Sequence, residues 1–147
     1  PLPRGTFLVA KFAALGLGFA GSLVLSGAGA FYYTAVLFEP PDIVKWLELN
    51  GLMLLFFLIH LAITLFCSTV SRSNVAAGAI ALGIAVVLSA AGSIPNLGDY
   101  FPGQLTTWGF MLAVGHGGSY WPAAGIGLGL ILASLLGAWA IFQRQEL

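Results

Sequence analysis

The sequence predicts an all-α integral membrane fold: four transmembrane helices plus an external re-entrant or interfacial helical hairpin, in a single transmembrane domain covering residues 1–147. Three observations predict it. Hydrophobic residues make up 59% of the 147 and charged residues only 7%, against about 25% charged in an average soluble domain, so no water-facing shell can be assembled. Four stretches, residues 13–38, 49–70, 74–94 and 122–142, carry no charge other than a possible proton on His60. Each reaches the ~20 apolar residues that cross a hydrocarbon core of ~30 Å. Between them stand residues that stop helices or demand water.

The first span follows Lys11 and ends at Glu39-Pro40-Pro41-Asp42, where two prolines remove amide donors and two carboxylates require solvent. Asp42 is placed to cap a short interfacial helix running through Glu48, ahead of the second span. Ser71-Arg72-Ser73 then forms a tight turn, with Asn74 as the expected N-cap, so the second and third spans are antiparallel neighbours. The third span, rich in alanine and holding Gly78 and Gly83, reads as the central helix. Pro95 ends it, and Pro122 opens the fourth span at a position where a first helical turn tolerates proline.

Residues 95–121 need a separate account. Leu105 to Val114 is apolar but too short to cross, and Tyr100, Phe101, Trp108, Tyr120 and Trp121 surround it as aromatics do at headgroup level. A broken helical hairpin dipping into the outer leaflet is predicted. Gly115, Gly117 and Gly118 expose backbone that lipid cannot satisfy, so that part is expected against protein or water. Orientation follows from the basic residues, which are retained in the cytoplasm. Arg4, Lys11, Arg72 and Arg144 fall on one side, against Lys45 alone on the other, where Glu39, Asp42, Glu48 and Asp99 also lie. Both termini are therefore expected in the cytoplasm.

Several function classes are excluded by what the chain holds. Five basic and five acidic residues leave no net charge, hence no electrostatic footprint for nucleic acid. Cys67, the single cysteine, forms no disulfide within the chain, and with two histidines it assembles no zinc constellation. Gly16-x-Gly18-x-x-Gly21 matches a dinucleotide fingerprint in letters only, because no strand precedes it. A Walker loop, a nucleophile elbow and a facing carboxylate pair are all missing from the sequence, so no catalytic residue, no metal ligand and no cofactor of its own is expected. The sequence starts at Pro1 without a signal-peptide pattern, which suggests a processed or truncated chain.

Small residues four apart mark contact faces between helices in lipid. Gly125, Gly129, Ala133 and Gly137 form one such stripe on the fourth span, and Gly18, Ser22, Ser26 and Ala30 another on the first. They serve packing inside the bundle or between two subunits. On the second span His60, Thr64, Cys67 and Ser71 recur at helical spacing, a polar stripe expected to face protein or a cavity. His60, Thr64 and Cys67 are the transport-path candidates, because an ionisable group inside a membrane marks a functional site by default. His60 alternatively hydrogen-bonds a neighbouring helix as a neutral imidazole, or ligates a tetrapyrrole such as haem or chlorophyll. The last option describes a small accessory or scaffold subunit of a larger membrane complex.

Several segments together resemble a known family, the permease subunits of type-2 ABC transporters. Pro3-Arg4-Gly5-x-Phe7-Leu8-x-Ala10-Lys11 is similar to the family's cytoplasmic approach to its third span, and Ser71-Arg72-Ser73 to its short loop between the fourth and fifth. Tyr100-Phe101-Pro102-Gly103-x-Leu105-x-x-Trp108 with Trp121 looks like its external re-entrant hairpin, and Arg144-Gln145-Glu146-Leu147 like its cytoplasmic end. The resemblance covers nearly the whole chain and implies the C-terminal four of six spans, the first two spans and the coupling helix being absent. It further implies a dimer of permease chains in a bacterial plasma (inner) membrane, enclosing a translocation pathway. A cytoplasmic ATPase subunit is the implied partner that holds ATP and Mg.

Overall fold

The computed structural model describes residues 4–95, 97–116 and 118–144. Pro3, Gly117 and the closing Gln145-Glu146-Leu147 lie outside the described residues, as do the side chains of Arg4 and Arg144. The described chain is all helical: α1 (Arg4–Leu37), α2 (Ile43–Val70), α3 (Asn74–Ala91), a 3-10 turn (Gly98–Tyr100), α4 (Gly103–Ala113) and α5 (Trp121–Arg144). Helices α1, α2, α3 and α5 are each long and apolar enough to cross a membrane.

Two helices run further than the sequence predicts. Helix α1 has 34 residues, about 50 Å at 1.5 Å per residue, because nothing in residues 4–12 breaks a helix once it has nucleated. The interfacial helix expected after Asp42 and the second span fuse into α2, 28 residues without interruption. Asp42 does cap it: its Oδ1 accepts from the amides of Val44 at 2.8 Å and Lys45 at 3.4 Å. At the start of α3 the cap is Ser73, whose Oγ accepts from the Ala76 amide at 3.1 Å, and not Asn74. Helix α3 stops at Ala91, short of the expected residue 94. Pro122 sits in the first turn of α5 as expected.

The central helix is α2, and not the third span. Helices α1, α3, α4 and α5 all pack on α2, while α3 has no other extensive neighbour. Composition misleads here, because alanine makes α3 easy to pack against without requiring that anything does so. Bulky Ile59, Ile63 and Leu65 with Ala62 and Cys67 are the buried residues of α2. All of these but Leu65 meet Ala123, Ala124 and Ile131 of α5, Ala81 of α3, and Leu105 and Trp108 of α4 in one cluster.

Glycines on α5 receive side chains of α2. A Cβ on Gly127 would lie 2.5 Å from Cδ1 of Ile59, and one on Gly137 would lie 2.9 Å from Cε2 of Phe66. Along α1 the corresponding seam passes through Gly16 against Leu58, then Gly27, where a Cβ would lie 2.7 Å from Oδ1 of Asn50. The predicted stripes do not lie on these seams, Gly137 excepted. Gly18, Gly125 and Gly129 have nothing within 4 Å of an added Cβ, and Ser22, Ser26, Ala30 and Ala133 are exposed. A row spaced by four advances about 40° around a 3.6-residue helix at each step. Gly125 and Gly137 therefore point about 120° apart, and only Gly137 reaches α2.

The segment between α3 and α5 packs on α2 through one face of α4. Leu105 and Pro102 are fully buried, Gly109 of α4 abuts Met53 and Leu49 of α2, and Trp108 meets Trp121 edge-on with ring centroids 5.2 Å apart. Helix α4 ends as glycine dictates. Gly115 takes φ of 76° and the His116 amide donates to the Met111 carbonyl at 2.9 Å, the closure of a left-handed helix cap.

Candidate functional site

Polar side chains inside the spans are the candidates for a path, and most of them turn back on their own helix. Ser22 Oγ donates to the Gly18 carbonyl at 2.9 Å, and Thr34 Oγ1 to the Ala30 carbonyl at 2.8 Å. On α2, Thr64 Oγ1 donates to the His60 carbonyl at 2.7 Å. Each bond meets in place a demand that hydrocarbon cannot meet.

His60 follows the same rule with a chemical consequence. Its Nδ1 lies 2.8 Å from the Phe56 carbonyl oxygen. A carbonyl only accepts, so Nδ1 carries the proton in this bond, and in the neutral ring the lone pair lies on Nε2. The ring is half-buried and packs on Phe56, centroid to centroid 4.3 Å. This hydrogen bond runs within α2 itself. Nε2 remains free to accept a hydrogen bond or a cation.

The three path candidates do not share one environment. Thr64 is exposed, His60 is intermediate, and Cys67 is buried, in the cluster that holds Ile63 and Ala81. Ser71, one turn on, has its Oγ buried with no hydrogen-bond partner among the described atoms. The stripe therefore runs along the rim of the packed face of α2, open at Thr64 and closed at Cys67. His116 lies apart in the exposed stretch after α4. Among the described residues, no three of the His, Cys, Asp and Glu side chains stand close enough together to hold a metal.

Asn50 is a polar residue that the sequence reading passed over. Its Nδ2 donates to the Trp46 carbonyl at 2.8 Å, and its Oδ1 faces Gly27 of α1. It stands in a groove of about 550 Å³ between α1 and α2, lined by Leu23, Gly27, Phe31, Trp46 and Leu54. An uncharged amide one residue inside a predicted span gives no charge signal, yet an amide in an apolar run opposite a glycine is the pairing by which helices approach closely in lipid. A second groove, about 560 Å³, lies between the first turns of α1 and the last of α5, with Leu8, Leu132 and Trp139 on its walls.

Comparison with known families places the chain beside a transporter family. The family described as ABC-2 family transporter protein matches residues 1–112, which takes in α1, α2, α3 and all of α4 but its last residue. No curated protein and no solved structure matches the chain. Four helices able to cross a membrane and a family match over most of the length agree, and the chain is a multi-pass membrane protein that belongs to the ABC-2 transporter family.

Proposed function

We propose that this chain is the membrane-spanning permease subunit of an ATP-driven exporter or importer in a bacterial inner membrane, with both termini in the cytoplasm. The family match over residues 1–112 carries the reading. Two such chains enclose the pathway, and the four spans take the place of the last four of six. Cytoplasmic ATPase subunits hold Mg and ATP, so bond-breaking chemistry is theirs. The permease contributes two conformations with different affinity for cargo, and nucleotide shifts the balance between them. His60, Thr64 and Cys67 border the path on α2, and the external hairpin closes its outer end.

Intact-mass measurement of the complex extracted in mild detergent tests this. Two permease chains with two ATPase chains are the expected composition, and a complex lacking any nucleotide-hydrolysing subunit overturns it. For the path residues, His60→Leu is expected to lower transport more than tenfold with a melting temperature changed by only a few degrees, since its hydrogen bond to Phe56 is local. Unchanged transport removes His60 from the path.

The free Nε2 also favours a second reading, an accessory subunit that holds a tetrapyrrole through His60. A visible absorption band that disappears in His60→Leu supports it. Purified complex without such a band disposes of it.

A further inference from the structure

Helix α3 is the span that leans on one other helix. Its buried residues, Ala77 and Ala81, both lie in its first half, and beyond α2 it has no extensive neighbour. In its second half Ile84 and Leu88 touch the core cluster but are only half-buried. At its first end the chain holds it, through the Ser71-Arg72-Ser73 turn in which Ser73 caps the helix. At its far end the last carbonyls of any helix lack intrahelical partners, and here one of them is taken by another element. Gln104 Nε2, on α4, donates to the Gly92 carbonyl at 3.2 Å.

That contact differs in kind from the others. The remaining side-chain hydrogen bonds named above close within four residues, whereas this one spans twelve and joins two helices. Its donor stands on a fixed base, since the neighbours of Gln104 include the fully buried Leu105 and Pro102. A second element meets the same carbonyl: a Cβ on Gly98 would collide with the Gly92 oxygen, so the chain passes there only as glycine.

We propose that α3 is a hinged helix, held at one end by the Ser71–Ser73 turn and latched at the other by the Gln104 amide on the Gly92 carbonyl. Release of the latch lets the far half of α3 swing from α2. Where it assigns this swing a use, the proposal rests on the permease reading: α3 is then the moving span and α4 its stop. The latch itself stands or falls on helix position, independently of transport.

The test is a distance measurement by pulsed electron paramagnetic resonance on the full-length protein in lipid nanodiscs. Spin labels go on Val87→Cys of α3 and Phe110→Cys of α4, both exposed, in a Cys67→Ala background. The parent is expected to give one narrow distribution. Gln104→Leu is expected to raise a longer-distance population by roughly fivefold, the factor that one net amide hydrogen bond commands. Gly98→Ala, which displaces the same carbonyl from the backbone side, is expected to do likewise. Thr106→Val on the same helix, whose hydroxyl bonds only the Gly103 carbonyl, leaves the distribution narrow. Unchanged distributions in both Gln104→Leu and Gly98→Ala overturn the latch, as does a parent already as broad as its variants.

Discussion

At Gly127 a methyl group would enter the space that Cδ1 of fully buried Ile59 occupies, and Ile59 has no open side to retreat to. Gly127→Ala is therefore expected to destabilise the bundle by about 1–3 kcal/mol, the usual range for overpacking. Gly125→Ala, two residues away with open space around it, is expected to be neutral or to stabilise the helix by up to ~1 kcal/mol. Thermal unfolding in detergent compares them, and equal effects at the two positions remove the α2–α5 seam described above. Ile59→Val in the Gly127→Ala background is expected to recover part of the loss. The sequence alone could not separate these glycines. Both sit in a small-residue helix, and which of them meets α2 depends on where the seam falls around 360°. His60 was legible because an ionisable group in an apolar run announces itself. Asn50 was not, because an amide carries no charge and its partner, Gly27, lies on another helix.

Elements were more legible than residues, because caps and breakers act locally. Asp42 is a cap by residue type and proves to be one by two hydrogen bonds. The prolines at 40, 41 and 122 delimit helices where they stand. What local rules do not carry is continuity: nothing in the pattern states that residues 43–48 join the second span, or that α1 extends back to Arg4. The end of α4 offers a local test. Gly115 at φ of 76° occupies a conformation that an L side chain enters at about 1 kcal/mol or more. Gly115→Ala is expected to raise amide exchange over residues 110–116 while leaving α2 protected. Hydrogen-exchange mass spectrometry reads this, and unchanged exchange shows that the cap does not hold the helix end.

For the whole molecule, spans could be counted from hydropathy because lipid forbids unpaired backbone, whereas the order of packing could not. Helix α3 was expected at the centre and lies at the edge, since in lipid an apolar helix gains no hydrophobic free energy by moving inward. The sidedness proposed here predicts a labelling pattern. In a Cys67→Ala background, Arg72→Cys is expected to react with an impermeant thiol reagent only in inside-out vesicles, and Lys45→Cys only in right-side-out ones. The opposite pattern inverts the orientation.

The hydroxyls, the imidazole and the amide that bond within their own helices also bear on how the protein is made. Ser22, Thr34, Asn50, His60 and Thr64 each bring a donor into the bilayer already bonded, so a span can leave the ribosome and enter lipid before its neighbours exist. Assembly then becomes a later docking of finished pieces. A gene cut at Arg72, which separates α1 and α2 from α3, α4 and α5, is expected to insert both halves and reunite them, read as co-purification through a tag on either one.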